Sequence, residues 1–214
     1  MDSIHTLTIG SFAPDFSCNS TKGKISLKDY NGKWLVFFSH PGDFTPVCTT
    51  EFIAFAKMYN AFRKINCELL GLSIDSNPSH LAWILNIEKN ANIKVEFPIL
   101  ADRDGSIATR YNMLNQGEIN KGTIRSVYII NPEGKIRAKL TYPKEIGRNI
   151  SEILRTVISL QTSDKFNVML PANWIPGMPE VIIPPSTYDE IDKNKLNSNC
   201  FDWYLCFKGG NINE

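Results

Sequence analysis

The sequence predicts an α/β fold, a mixed sheet flanked by helices, and three observations carry that prediction. WLVFFS, Trp34 to Ser39, is an apolar run that reads as a buried strand. Directly after it, Phe52, Phe55, Tyr59 and Phe62 recur at helical spacing, with Lys57, Asn60 and Lys64 on the opposite face, so Pro46 to Ile65 is an amphipathic helix. CELLGLSID, Cys67 to Asp75, then returns to the strand pattern. Strand, helix and strand alternate as they do where helices cover a parallel sheet.

The remaining elements extend the pattern. Pro78 to Asn90 predicts a helix, FPILAD (Phe97 to Asp102) a strand and Gly105 to Met113 a short helix. RSVYIINPEGKIRAKLTYP, Arg125 to Pro143, holds two β runs around Asn-Pro-Glu-Gly and reads as a hairpin. Ile150, Ile153, Leu154, Val157 and Ile158 repeat at i, i+3, i+4, i+7 and i+8, which marks a final amphipathic helix covering the sheet. That order is the thioredoxin-like plan. Beyond Gln161, Pro171, Pro176, Pro179, Pro184 and Pro185 punctuate short apolar runs such as EVIIPP and DWYLCF. The chain therefore divides into a main domain over 1–164 and a small C-terminal domain over 165–214. The tail's runs are too short for a full core of their own, so it is expected to pack at a subunit contact or on the main domain.

Composition narrows the function classes. In 214 residues, 43% hydrophobic, 23 basic and 22 acidic residues nearly cancel, so net charge favours neither nucleic acid nor an anionic membrane. The N-terminal MDSIHTLTIGSF offers no apolar run for a signal peptide or a membrane span, and the expected compartment is the cytoplasm. Five cysteines (Cys18, Cys48, Cys67, Cys200, Cys206) form neither an even disulfide framework nor a C-x-x-C pair, and His5, His40 and His80 are scattered. Neither a disulfide-stapled fold nor a zinc site is expected, and the sequons at Asn19 and Asn149 read as chance matches.

The chemistry concentrates in SHPGDFTPVCTTE, Ser39 to Glu51. Thr45 suits an N-cap and Pro46 the first helical position, which puts Cys48 at the third, where backbone N–H groups have no intrahelical partner. A thiolate there meets the positive end of a helix, and the thiolate is the nucleophilic form. The helix alone is too weak. Bringing a thiol from ~8.5 to about 6 takes roughly 3.4 kcal/mol, whereas a helix terminus supplies ~0.3–1 and rarely ~2. Glu51, three residues on, opposes ionisation unless it is paired, so at least one arginine is expected at the site. A strand-end loop followed by a helix start is also where open α/β sheets hold their ligands.

Pro41, Thr45 and Cys48 form a P-x-x-x-T-x-x-C signature that resembles the peroxiredoxins, and its setting is similar to their one-cysteine subfamily. APDF at Ala13 to Phe16, LSIDS at Leu72 to Ser76, HLAW at His80 to Trp83, TYPKEIGRNISEILRTVISLQ from Thr141 and the long tail extend the resemblance along nearly the whole chain. It implies a thiol peroxidase in which Cys48 attacks a hydroperoxide and becomes a sulfenic acid. By the family's pattern Thr45 hydrogen-bonds sulfur and peroxide, Pro41 shields the site from water, Arg125 supplies the cation and Arg148 pairs with Glu51. His40 matches the subfamily and is a supporting candidate. The resemblance further implies a homodimer, no prosthetic cofactor and an external thiol reductant such as glutathione or thioredoxin.

Some one-cysteine relatives carry G-x-S-x-G before the first core strand and hydrolyse acyl esters; this chain reads NGKWL there, and GLSID elsewhere lacks the second glycine. A redox-switched holdase or peroxide sensor remains the alternative to an enzyme. Cys18 and Cys67 read as ordinary buried thiols, and His5 and His80 as structural residues. Cys200 and Cys206 do not sit in the Val-Cys-Pro setting of a resolving cysteine.

Overall fold

A computed structural model describes residues 7–114, 122–191 and 199–209, so His5 lies outside the described residues. The chain divides into two compact units, Met1–Ile150 and Ser151–Glu214, and the compositional change near residue 165 falls within the second.

The first unit contains β1 (Ser17–Ser20), β2 (Gly23–Ser26), β3 (Trp34–Ser39), α1 (Pro46–Lys64), β4 (Cys67–Ser73), α2 (Asn77–Ala91), β5 (Ile99–Ala101), α3 (Ser106–Arg110), β6 (Arg125–Ile130) and β7 (Ile136–Tyr142). Its seven strands form one mixed sheet in the order β2-β1-β5-β4-β3-β6-β7. This is the thioredoxin-like arrangement of a mixed sheet with flanking helices. β3 and β4 run parallel, Trp34 opposite Cys67 and Ser39 opposite Leu72, and such central strands need both faces covered. All six β3 residues are accordingly buried. On one face Phe38 stacks on Phe55 of α1 with ring centroids 4.3 Å apart; on the other, Phe37 meets Phe16 and Tyr111.

β6 lies antiparallel to β3, with Phe38 opposite Val127 and Leu35 opposite Ile130. The C-terminal end of β3 therefore meets the N-terminal end of β6, and the Ser39 hydroxyl donates to the Ile124 carbonyl at 2.5 Å. That register puts Arg125 beside the loop leading into α1. The β6–β7 hairpin turns at Asn131 to Gly134, where Gly134 takes φ +81°. The β1–β2 hairpin has no counterpart in the hydrophobic pattern. SCNS and GKIS are short, polar and partly exposed, so an edge hairpin there leaves almost no apolar run.

In the second unit, α4 (Ile150–Phe166) is followed by β8 (Glu180–Val181), α5 (Tyr188–Ile191), β9 (Cys200–Asp202) and β10 (Leu205–Lys208). β8, β10 and β9 form a small antiparallel sheet in that order. Buried Trp174 anchors the segment after α4; its indole N–H donates to Met178 and its carbonyl accepts from Arg155. One cysteine expectation is corrected here. Cys200 and Cys206, read as separate thiols, are joined by a disulfide. They are directly opposed across the β9–β10 hairpin with Cα atoms 4.0 Å apart, a pairing fixed by hairpin register rather than by any recognisable cysteine spacing.

Candidate active site at the start of the first long helix

β3 ends at Ser39, and His40 to Thr45 form a tight connection into α1, with Phe44 in the left-handed region at φ +56°. Thr45 is the N-cap, extended at φ −99°, ψ 147°, and Pro46 opens the helix, so Cys48 stands at the third helical position. The Thr45 side chain does not cap the helix. Its hydroxyl donates backward to the Gly42 carbonyl at 2.8 Å and closes the loop.

Cys48 is completely buried, and its sulfur accepts from Arg125 Nη1 at 3.3 Å. The same Nη1 donates to Glu51 Oε2 at 2.7 Å, and Arg125 is aimed by two further bonds to the Lys144 carbonyl. Arg148 closes on Glu51 from the other side: its Nε and backbone N–H donate to Oε1, and Nη2 donates to Oε2. Burial works against Glu51 ionisation, but the Arg148 contacts outweigh it and hold the carboxyl below the usual range. The opposition expected from Glu51 is thereby neutralised. Two guanidinium groups face one carboxylate in a buried cluster, which leaves one positive charge for a thiolate at Cys48 to balance. Arg148 Nη1 also donates to the carbonyls of Ser39 and Ser126, so the cluster ties together the ends of β3 and β6.

The loop is held from outside as well. Gly122, at φ +84°, lies so close to Pro41 that a Cβ there would collide with the Pro41 carbonyl oxygen. The neighbouring Thr123 hydroxyl donates to the His40 carbonyl at 2.6 Å. Pro41 itself is half-buried beside them.

His40 is also fully buried, yet it turns toward α2 rather than forming a hydrogen bond with Cys48. Its Nε2 lies 2.9 Å from Asp43 Oδ1, and its ring stacks on Trp83 at 5.2 Å. Asp43 also contacts His80 Nδ1, at 2.8 Å. Burial lowers the basicity of His40; it also works against Asp43 ionisation, but the two imidazoles prevail and hold that carboxyl below its ordinary range. The sequence reading singled out neither Asp43 nor His80 for the site. The i, i+3 spacing of His40 and Asp43 was a visible signal, but nothing in the sequence reports the approach of a residue on α2. The other two free thiols are made poorer nucleophiles by their surroundings. Burial pushes Cys67 up, and burial with Asp102 and Asp104 does the same to Cys18.

Comparison with known proteins agrees along most of the chain. Residues 9–139 match the AhpC/TSA family and residues 159–197 match the C-terminal domain of 1-Cys peroxiredoxin. A protein named Peroxiredoxin 2 from Caldanaerobacter subterraneus is 54% identical over 94% of this chain and 92% of its own. Peroxiredoxin from Thermotoga maritima is 47% identical over 94% and 96%. Among solved structures, a yeast mitochondrial 1-Cys peroxiredoxin, studied for thiol resolution via glutathione/thioredoxin systems, superposes with TM-score 0.84 at 42% identity, covering 95% of this chain and 99% of that one. A mutant of the Peroxiredoxin 6 of Arenicola marina gives 0.83 at 31%, covering 95% and 98%. With both parts of the chain matched and its fold shared, the chain belongs to the AhpC/TSA family as a peroxiredoxin of the 1-Cys type, a thiol-dependent peroxidase.

Proposed function

We propose that Cys48 reduces hydrogen peroxide and alkyl hydroperoxides as the single peroxidatic nucleophile. Its thiolate attacks the terminal peroxide oxygen, the O–O bond breaks, and with one proton the products are Cys48 sulfenic acid and water or an alcohol. Thr45 and Arg125 line the reacting atoms, Pro41 limits water, and Glu51 with Arg148 holds Arg125 in place. The observation that carries this reading is the buried Cys48 sulfur at a helix start, 3.3 Å from the Arg125 guanidinium. An external thiol, glutathione or thioredoxin, then attacks the sulfenic sulfur with loss of water, and a second thiol releases the mixed disulfide. Three free thiols in the chain fit a reducing cytoplasm. Exposed Phe201, Tyr188 and Ile175 in the second unit support a subunit contact and a homodimer.

The Cys200–Cys206 bond favours a second reading of the reductant. Reduced, that pair is a dithiol: one sulfur condenses with the Cys48 sulfenic acid, releasing water, and the other displaces Cys48 while the tail disulfide forms. Fully reduced protein treated with one equivalent of peroxide, then mapped by non-reducing peptide mass spectrometry with a sulfenic-acid trap, separates the two. Trapped Cys48 supports the external thiol; a new Cys200–Cys206 bond without trapped sulfenic acid supports the tail. Steady turnover in either case distinguishes an enzyme from a stoichiometric sensor or holdase, and a Cys48→Ser variant with retained activity would overturn the assignment.

A further inference from the structure

Both ring nitrogens of His80 face acceptors. Nδ1 lies 2.8 Å and 3.1 Å from the two oxygens of Asp43, and Nε2 lies 3.3 Å from the Leu100 carbonyl. A carbonyl has no proton to give, so Nε2 carries one; an Asp43 carboxylate only accepts, so Nδ1 carries the second. The same carboxylate accepts from His40 Nε2 at 2.9 Å, which places the His40 proton on that nitrogen. His40 Nδ1 is then a bare lone pair, and it is buried with no hydrogen-bond partner among the described residues. Such an orphaned acceptor is costly to bury and calls for a reason. Asp43 is itself oriented, since its backbone N–H donates to Asp75 Oδ2, which also accepts from the Ser73 hydroxyl.

Two imidazoles and a carboxylate have the donor composition of a metal centre. Donors sharing an ion at ~2.0–2.2 Å stand roughly 3.3 Å apart, whereas these N···O separations of 2.8–3.1 Å are hydrogen-bond lengths. Protons hold this cluster together.

We propose that His80 is an imidazolium at neutral pH and a positioning residue for the peroxidase. With Asp43 it fixes the Nε2–H tautomer of His40 and keeps Nδ1 as a proton acceptor in the loop that carries Pro41 and Thr45. The activity part of this proposal rests on the assignment of Cys48 as nucleophile. Without the charge on His80, Asp43 would be a buried anion lacking a cation and would take up a proton itself. Protonated, it no longer offers two accepting oxygens, and the preference of His40 for one tautomer relaxes. The titratable groups around His80 are Asp43 and His40 from the loop after β3 and Asp75 from the loop after β4; the other neighbour is the Leu100 carbonyl of β5. Loss of the His80 proton would set a carboxylate against a bare nitrogen, so a variant that cannot supply that proton is expected to react more slowly with peroxide.

The test is long-range 1H–15N correlation on full-length protein labelled at histidine, with stopped-flow peroxide kinetics across pH on the same samples. Expected are two protonated ring nitrogens on His80 at pH 7 and Nε2–H alone on His40. In His80→Gln, His40 should show mixed tautomers and the peroxide rate should fall about tenfold. If that variant fails to fold, Asp43→Asn carries the test, because the amide brings no negative charge to hold a second proton on His80, which should become neutral. A neutral, singly protonated His80 in the unaltered protein overturns the proposal, as does an unchanged His40 pattern with a rate within twofold in His80→Gln. Cys48→Ser should leave the histidine pattern intact, so failure of the Cys48 assignment is distinguishable from failure of this one.

Discussion

Cys48 differs from the other two free thiols in what surrounds it. Cys18 and Cys67 are pushed away from the thiolate by burial, whereas Cys48 meets a helix start and a guanidinium. Cys18→Ser and Cys67→Ser should therefore keep peroxidase activity within about twofold, against complete loss in Cys48→Ser; steady-state turnover of the three proteins decides the matter. Arg125→Met removes the one donor to sulfur among the described residues while Arg148 still holds Glu51, so the peroxide rate constant should fall roughly 100-fold in stopped flow. An unchanged rate would place the cation elsewhere. Thr-Pro-x-Cys announced the helix start from local rules alone, and the magnitudes demanded an arginine without saying which one. The register of β6 on β3 answers that, 77 residues away from Cys48, which local pattern cannot report. The Asp43–His80 contact was illegible for the same reason, since it joins a loop to a helix through tertiary packing.

Elements with strong apolar periodicity, β3, α1, β4 and the β6–β7 hairpin, were readable within a residue or two because each buries a continuous face. The β1–β2 hairpin and the β9–β10 disulfide were not, because polar edges and cross-strand register leave little trace in composition. The connection before β6 supplies an element-scale prediction. Gly122 combines a positive φ with a close approach to the Pro41 carbonyl, so Gly122→Ala forces the loop away from its site. It should slow the peroxide reaction about tenfold or more while circular dichroism stays native; normal kinetics would mean that the Pro41 position is unimportant. In the tail, replacing Cys200 and Cys206 by serine opens a short loop and should cost about 2 kcal/mol in the unfolding of the small sheet, read by urea denaturation against the reduced and oxidised parent.

At the scale of the molecule, its buried charges make stability depend on pH in a definite direction. Asp43 and Glu51 both have folded-state carboxyls below their ordinary values, so each contributes stability above the usual carboxylate range that is lost as the pH falls through its folded value. His40 is depressed by burial, so its contribution is complete above about 6.5 and is drawn down as the solution becomes more acidic. Asp102 runs the other way, since burial raises it and the strain of keeping it ionised eases in acid. Three groups against one predict a stability maximum near neutrality and a steady decline below about pH 6, with Glu51 acting at the lower end of that limb. Glu51→Gln isolates its share. At pH 7 the variant leaves two buried guanidinium groups facing a neutral amide and should lose about 3–5 kcal/mol. As the pH falls from about 4.5 through the lowered folded value of Glu51, the unaltered protein surrenders the same interaction by protonation while the variant has nothing left to surrender, so the two calorimetric midpoints should converge only at that acid end. Midpoints that go on falling in parallel from about pH 5 to about pH 2 would show that the Glu51–arginine cluster does not set the acid limit of the fold.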